Sequence, residues 1–212
     1  MKKIKDFVIK NFVWIILFIC LIVFFALAKN VFNEEIMHVD IIGYEIISTY
    51  LISDTMTPIV RFITSFGGKI CLISITMALL LGLKNKKISL LICANLIIVT
   101  LFNLLIKNIL QRPRPTGIKL INESGYSFPS GHSMVSMAFY GYIIYLIYKN
   151  IKNKYIKWTL ISLLSLFIIS IGISRIYLGV HYTSDVIAGF LAAISYLIIY
   201  IKLTNKLIEN NK

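Results

Sequence analysis

Residues 11–28 read NFVWIILFICLIVFFALA, an almost uninterrupted apolar run that follows a lysine-rich start. A helix needs roughly 20 mostly apolar residues to cross the hydrocarbon core of a bilayer, and this run approaches that length. The rest of the chain has the same character, because 58% of its 212 residues are hydrophobic and its mean hydropathy is +0.83. Soluble domains are less apolar and carry more charge, so the composition predicts a polytopic membrane protein.

Five further apolar runs follow the first one, and short polar segments separate them. The six predicted membrane spans cover about residues 11–28, 66–83, 88–106, 133–148, 158–173 and 184–201. Several of these runs are shorter than an ordinary span, which is tolerated where a helix end lies in a buried polar site. The predicted fold is therefore all-α, a six-span transmembrane helical bundle, with residues 1–212 forming one domain.

The segment between the first two predicted spans, residues 34–58, carries apolar side chains at helical spacing with acids between them. The apolar positions are Ile36, Val39, Ile42, Ile46 and Tyr50, and the acids are Asp40 and Glu45. This pattern predicts an amphipathic helix that lies along the membrane surface. A plain solvated loop is the alternative.

The net charge of +13 is concentrated between the spans, which favours membrane topology over a nucleic-acid partner as its explanation. Fourteen of the 22 basic residues fall on one side of a six-span arrangement, namely Lys2, Lys3, Lys5, Lys10, Lys84, Lys86, Lys87, Lys149, Lys152, Lys154, Lys157, Lys202, Lys206 and Lys212. Because basic residues are enriched in cytoplasmic loops, this side and both termini are predicted to be cytoplasmic. The lysine-rich start and Ala26-Leu27-Ala28 also resemble a cleaved signal peptide, but the length of the apolar run favours an uncleaved span.

Three polar clusters stand at the ends of predicted spans, at residues 107–115, 129–132 and 174–185. The first ends span three, the second opens span four, and the third lies between spans five and six. Because successive spans alternate in direction, all four span ends lie on the outer side of the membrane. Residues far apart in the sequence are thus expected to meet at one membrane face.

These clusters contain groups suited to hold a phosphoryl group. Lys107, Arg114 and Arg175 supply three positive charges, and guanidinium groups match the oxygens of phosphate. Ser130 adds a hydroxyl donor, and Gly131 lets the backbone N–H groups of a helix N-terminus approach an anion. Such a cradle stabilises the charge that spreads over a phosphoryl group in its transition state.

Two histidines and one aspartate supply the reactive groups. His181 and Asp185 lie four residues apart, so the carboxylate can accept the Nδ1–H of the ring and leave Nε2 free as a nucleophile. His132 is placed to donate a proton to the leaving oxygen. No metal site is expected, because three cations share the cluster and further ligands are lacking. The three cysteines lie inside apolar runs and are predicted to be small buried residues.

Each cluster alone has a simpler interpretation. Single basic residues at helix ends are usually interfacial anchors, and Arg112 and Lys119 are assigned to this general positive field. A Pro-Ser-Gly-His sequence can be a turn and helix N-cap, and a His–Asp pair can be structural or part of a metal site. The convergence of the clusters on one face favours a function, since ionisable groups at helix ends in a membrane are costly.

The clusters resemble the signature motifs of the type-2 phosphatidic acid phosphatase superfamily: Lys-x6-Arg-Pro at 107–115, Pro-Ser-Gly-His at 129–132 and Ser-Arg-x5-His-x3-Asp at 174–185. All eleven signature positions are matched in order. The resemblance implies a metal-independent phosphatase without a cofactor, in which His181 is the nucleophile, Asp185 its partner and His132 the acid. It assigns phosphate binding to Lys107, Arg114, Ser130, Gly131 and Arg175.

The expected function is hydrolysis of a lipid phosphate or pyrophosphate at the outer face of the cytoplasmic membrane, with the bilayer and a membrane lipid as partners. Undecaprenyl pyrophosphate is the preferred substrate, because outward-facing recycling of this carrier fits the predicted side of the site. Phosphatidylglycerophosphate or phosphatidate is the alternative. A transporter would also place charges at helix ends, but it does not need a His–Asp pair beside a second histidine. A non-catalytic membrane scaffold would lose nothing on His181→Ala.

Overall fold

The computed structural model describes residues 2–33 and 36–209, and these residues fold into eight α-helices without a strand. In chain order the helices are α1 (Lys2–Phe32), α2 (His38–Tyr50), α3 (Met56–Ser65), α4 (Lys69–Gly82), α5 (Lys86–Leu110), α6 (Gly131–Asn150), α7 (Lys154–Tyr177) and α8 (Thr183–Glu209). The prediction of an all-α fold is confirmed. Lys212 of the predicted cytoplasmic tail and residues 34–35 of the predicted interfacial segment lie outside the described residues.

Four of the described helices are long and apolar enough to cross a membrane: α1 from Asn11 onward, α5, α7, and α8 up to Lys206. Helices α3 and α4 meet at a bend of 49° and together form a further candidate, either a broken span or a re-entrant loop. The described residues thus confirm a helical membrane protein with four or five candidate spans. The predicted count of six is not confirmed by length and composition.

One of the six predicted spans, residues 133–148, falls in α6, which is not among these candidates. Helix α6 packs against α5, α7 and α8 and lies at the centre of the bundle. Its buried side chains include two serines and two tyrosines, Ser133, Ser136, Tyr140 and Tyr142. Since other helices cover much of its surface, such polar groups lower its hydropathy without facing lipid.

The bundle has a lysine-rich end and an end that carries the three sequence clusters, which we call the motif end. At the lysine-rich end, Lys202 Nζ of α8 lies 3.7 Å from the centroid of the Trp14 ring of α1. The Tyr200 hydroxyl of α8 donates to the Leu91 carbonyl near the start of α5 at 2.6 Å. The start of α5 and the end of α8 therefore meet at the end opposite the clusters.

The predicted interfacial segment does contain a helix, α2. This helix packs against α7 and α8 at the motif end. Ile42, Ile46 and Tyr50 of its predicted apolar stripe are exposed, whereas the acid Asp40 is 3% exposed. The apolar stripe therefore does not face the bundle, and the reason is a buried arginine that pairs with Asp40. That α2 lies along the membrane surface stays a prediction.

The close approach of α6 and α8 at the motif end depends on Gly189. A Cβ atom at this position would lie 2.9 Å from the Ser130 carbonyl oxygen and 3.1 Å from Ser133 Cβ, closer than packed side chains ordinarily lie. We expect Gly189→Ala to lower the free energy of unfolding by about 1–3 kcal/mol, the usual effect of overpacking. Thermal unfolding of the detergent-purified protein measures this effect.

Gly82→Ala is the matched control for this substitution, because a Cβ atom at Gly82 meets nothing within 4 Å. Equal unfolding midpoints for the two variants would contradict the tight α6–α8 packing.

Candidate active site

The motif end brings together the end of α5, the start of α6, the end of α7 and the start of α8. The segment between α5 and α6 joins them there. Helix α5 stops at Gln111, whose φ of 47° turns the chain out of the helix. In the following segment, Ser127 N donates to Arg112 O at 2.8 Å, and Ser130 N donates to Asp185 O at 3.0 Å. These bonds attach the start of α6 to the start of α8 and bring the sequence clusters into one site.

His181 stands just before α8 and is held by the carboxylate of Asp185. The distance from His181 Nδ1 to Asp185 Oδ2 is 3.3 Å, and the two residues are 3% and 0% exposed. The same oxygen accepts hydrogen bonds from Tyr182 N at 2.9 Å and from the Ser127 hydroxyl. Nδ1 therefore faces the carboxylate, whereas Nε2 lies 3.2 Å from Arg114 Nη1.

The protonation state of His181 follows from these surroundings. Burial lowers the pKa of His181 to about 4 because it disfavours the charged ring, although the hydrogen bond to Asp185 acts in the opposite direction. The ring is thus neutral near pH 7. With its proton on Nδ1, beside the carboxylate, it has a lone pair on Nε2, which a nucleophile requires.

Two arginines form a site for an anion beside His181. Arg175, which is 1% exposed, donates from Nη1 to Thr64 Oγ1 at 2.8 Å and from Nη2 to a carboxylate oxygen of Glu123. The other oxygen of Glu123 lies 3.9 Å from Arg114 Nη2, so the carboxylate bridges the two guanidinium groups. Carboxylate and phosphate offer similar oxygen pairs to guanidinium, and Glu123 therefore lies where a phosphate would meet both arginines.

Backbone carbonyl groups hold Arg114 and Lys107 in place. Arg114 donates from Nε to the Gly125 carbonyl at 3.0 Å and from Nη2 to the Ser124 carbonyl at 2.9 Å. Lys107, in the last turn of α5, donates to the Ser127 carbonyl at 3.2 Å. The segment between α5 and α6 therefore fixes the positions of both cations.

The start of α6 adds Ser130, Gly131 and His132 to the same region. Ser130 Oγ caps α6, accepting hydrogen bonds from Ser133 N at 3.4 Å and from the Ser133 hydroxyl at 2.9 Å. This is the N-cap role considered for the motif, and it leaves the hydroxyl hydrogen of Ser130 for another acceptor. A Cβ atom at Gly67 would lie 2.9 Å from His132 Cδ2, so glycine at the bend between α3 and α4 makes room for the ring.

A cavity of about 620 Å³ has a polar end and an apolar extension. Its polar wall contains Lys107, Arg114, Glu123, His132 and His181. It continues between α4, α5 and α6, where the wall residues include Leu72, Ile73, Leu96, Leu104 and Val135. These surroundings suit a molecule with a charged head and a hydrocarbon chain.

The eight predicted site residues all lie at the motif end, and their assigned roles stay predictions. The assignment of Arg112 to a general positive field is wrong. Arg112 is 5% exposed, and its guanidinium donates to Asp185 Oδ1 at 2.7 Å and to Asp40 Oδ2 at 2.8 Å. Lys119, which shared this assignment, is exposed.

Four further residues of this region were not predicted as site residues: Asp40, Arg112, Ser127 and Glu123. Ser127 and Glu123 belong to an irregular segment, where no periodicity indicates which residues become neighbours. Asp40 is 72 positions from Arg112 and stands on another helix. The repeat Arg112-Pro-Arg114-Pro was the available signal, since it offers two arginines that can face different partners.

Comparison with known proteins identifies the family of the chain. The PAP2 superfamily model matches residues 88–209. The chain is 40% identical over 91 residues to phosphatidylglycerophosphatase B of Bacillus subtilis (strain 168), a match that spans 42% of this chain and 45% of that relative. It is 25% identical over 204 residues to an undecaprenyl-diphosphatase of Sulfolobus acidocaldarius, covering 92% of this chain and 93% of that protein.

Solved structures share the fold. The crystal structure of the transmembrane PAP2 type phosphatidylglycerolphosphate phosphatase from Bacillus subtilis has a TM-score of 0.78 at 24% identity, covering 90% of this chain and 96% of that chain. The structure of Aquifex aeolicus LpxE has a TM-score of 0.61 at 21% identity, covering 75% and 92%. The family that the three sequence clusters indicated is confirmed, and this chain belongs to the PAP2 superfamily.

Proposed function

We propose that this chain is an integral membrane phosphatase that hydrolyses a lipid phosphate or pyrophosphate through a phosphohistidine on His181. The observation that carries the proposal is the neutral, buried His181, whose Nε2 lies beside Arg114, which shares the Glu123 carboxylate with Arg175. The two curated relatives, which are named as a phosphatidylglycerophosphatase and an undecaprenyl-diphosphatase, support the reaction class.

Substrate binding begins with the anion site. The phosphoryl group replaces the Glu123 carboxylate between Arg114 and Arg175, and Lys107 adds a third positive charge. These groups are fixed by backbone and side-chain hydrogen bonds, so they need little rearrangement as charge develops on the phosphoryl oxygens.

The chemistry then divides between two histidines. His181 Nε2 attacks phosphorus, the bond from phosphorus to the leaving oxygen breaks, and His132 donates a proton to that oxygen. Asp185 continues to accept the hydrogen bond from Nδ1–H and stabilises the positive charge that forms on the ring. Water then attacks the phosphohistidine while His132 accepts its proton, the P–N bond breaks, and inorganic phosphate leaves.

A lipid is the proposed substrate because the cavity passes from the cations into an apolar gap between α4, α5 and α6. A hydrocarbon chain can lie in this gap while its phosphate meets the arginines. Undecaprenyl pyrophosphate is the preferred lipid, supported by the undecaprenyl-diphosphatase relative that matches nearly the whole chain. Phosphatidylglycerophosphate is the second candidate, supported by the 40% identity to a phosphatidylglycerophosphatase.

We also propose that the chain has six spans. Helices α3 and α4 together form one broken span, and α6 is a further, continuous span. Helix α6 has 20 residues, which at about 1.5 Å each rise about 30 Å, the thickness of the hydrocarbon core. Six spans place both termini on the lysine-rich side, which the positive-inside rule makes cytoplasmic. The active site then lies on the outer side of the cytoplasmic membrane.

His181→Ala is expected to lower kcat for phosphate release by at least about 1,000-fold, because it removes the attacking nitrogen. The assay uses detergent-purified protein with EDTA present and undecaprenyl pyrophosphate, phosphatidylglycerophosphate and phosphatidate as substrates. The wild type should stay active in EDTA and be inhibited by vanadate, which imitates the phosphoryl transition state.

His38→Ala is the matched control, since His38 is an exposed histidine on α2. Normal phosphate release by purified His181→Ala would exclude the phosphohistidine mechanism, and loss of wild-type activity in EDTA would point to a metal.

The pH profile reports the protonation of His181. Because only the neutral ring can attack, activity is lost as pH falls through its pKa, which burial lowers to about 4. We expect an acidic limb near pH 4 in kcat/KM, rather than near 6.5, the usual value for histidine. Comparing a phosphomonoester lipid with a pyrophosphate lipid identifies limbs that arise from the substrate, because those limbs move with the lipid. A substrate-independent acidic limb at about 6.5 would contradict a buried neutral His181.

Thiol labelling in intact cells tests the orientation. A cysteine at Lys119, an exposed residue of the motif end, should react with a membrane-impermeant reagent added outside. A cysteine at Lys152, exposed in the segment between α6 and α7, should react only after lysis. The reverse pattern would invert the proposed topology.

A further inference from the structure

We propose that Asp40 and Arg112 are positioning residues for His181, so that α2 completes the active site. Neither residue is one of the eleven signature positions, and Asp40 lies outside the region that the family model matches, residues 88–209. This inference rests on the proposed function, because it assigns both side chains to the support of the nucleophile.

Four ionisable side chains form a continuous buried row that begins at His181. His181 Nδ1 lies 3.3 Å from Asp185 Oδ2, Asp185 Oδ1 accepts from Arg112 Nη1 at 2.7 Å, and Asp40 Oδ2 accepts from Arg112 Nη2 at 2.8 Å. The side chains of Asp185, Arg112 and Asp40 are each 5% exposed or less. Each aspartate therefore uses one carboxylate oxygen for the same guanidinium group.

The row also holds the first residues of α8, which present Asp185. Arg112 Nη1 donates to the Ser184 hydroxyl at 2.7 Å, and its guanidinium carbon lies 4.0 Å from the centroid of the Tyr182 ring. The second oxygen of Asp40, Oδ1, accepts from Ser184 N at 2.8 Å. Asp40 thus satisfies a free N–H group at the start of α8, where the helix dipole favours a negative charge.

The charges of the row explain why both residues should affect catalysis. Asp40, Arg112 and Asp185 together carry one net negative charge, which favours the positive ring that forms when Nε2 binds phosphorus. Without Asp40, the uncompensated guanidinium would bind Asp185 more strongly and oppose that positive charge. Without Arg112, two buried carboxylates would lose their shared cationic partner. Uncompensated buried charges strongly destabilise the folded state.

Neither side chain is in a position to bind the substrate phosphate. Arg112 and Asp40 are absent from the wall of the 620 Å³ cavity, which contains Arg114, Lys107 and both active-site histidines. Asp40 lines a second cavity of about 500 Å³ beside His181. Its carboxylate has the same sign of charge as phosphate, and its two oxygens already accept from Arg112 and Ser184 N. Their loss should therefore change the reaction of His181 and leave phosphate binding intact.

The test measures kcat, KM and inhibition by inorganic phosphate for Asp40→Asn and Arg112→Lys in the full-length, detergent-purified protein. We expect kcat to fall about 10- to 100-fold in each variant, as when an outer partner that orients a metal-ligating histidine is lost. KM and the phosphate inhibition constant should stay within about 2-fold of wild type. Because the two residues act through one row, the double variant should be less impaired than the product of the single effects predicts.

Asp54→Asn is the matched control, because it removes an exposed acid from the segment between α2 and α3 that lines neither cavity. It should keep the wild-type kcat. Thermal unfolding of each variant shows whether its fold is retained, and lysine at position 112 keeps the positive charge while losing the fork that reaches both aspartates.

Wild-type kcat in Asp40→Asn, together with an inactive His181→Ala, would overturn this inference and leave the proposed function standing. An active His181→Ala would overturn the proposed function itself. The positioning role is also overturned if both variants lose activity and phosphate inhibition and no longer show a cooperative unfolding transition. The row would then serve folding alone.

Discussion

The carboxylate of Asp185 is completely buried and receives hydrogen bonds from His181, Tyr182, Ser127 and Arg112. A buried charge is strongly unfavourable unless charged partners and hydrogen bonds surround it. These partners come from the turn before α8 and from the segment between α5 and α6. Satisfying this one carboxylate therefore fixes how those segments lie relative to α8, and the candidate active site is built on that arrangement.

The two most deeply buried arginines of the motif end each have acidic partners inside the protein, where lipid could not supply them. Arg112 is paired with Asp40 and Asp185, and Arg175 is paired with Glu123. The first set is closed, since its side chains are almost fully buried, whereas the Glu123 side chain is 29% exposed and lies in the cavity wall. In the proposed reaction a phosphate replaces only the Glu123 carboxylate. The ion pairs of Arg112 therefore support the nucleophile, whereas the ion pair of Arg175 marks the place where the ligand binds.

Helix α6 illustrates how a membrane protein can bury polar chemistry. Ser130 caps its first turn, and Ser133, Ser136, Tyr140 and Tyr142 are buried in the bundle. Because α5, α7 and α8 surround it, α6 can present His132 to the cavity at the end of a helix that is too polar to stand alone in lipid. Hydropathy measures the composition of a segment and takes no account of its neighbours. Helix α6 is therefore not recognised as a membrane span by length and hydropathy.

The sequence by itself determined the helical membrane class, the family and the clusters at residues 107–115, 129–132 and 174–185. Each of these depends on composition or on short spacings along the chain, which a linear pattern records directly. Tertiary structure decided the partners of Asp40, Arg112 and Glu123, because burial and pairing across helices depend on which elements pack together. Arg112 and Arg114 show the limit most clearly: they are two residues apart with the same chemistry. Packing turns Arg112 toward the buried aspartates and Arg114 toward the cavity. Only the three-dimensional arrangement of charges distinguishes the two arginines.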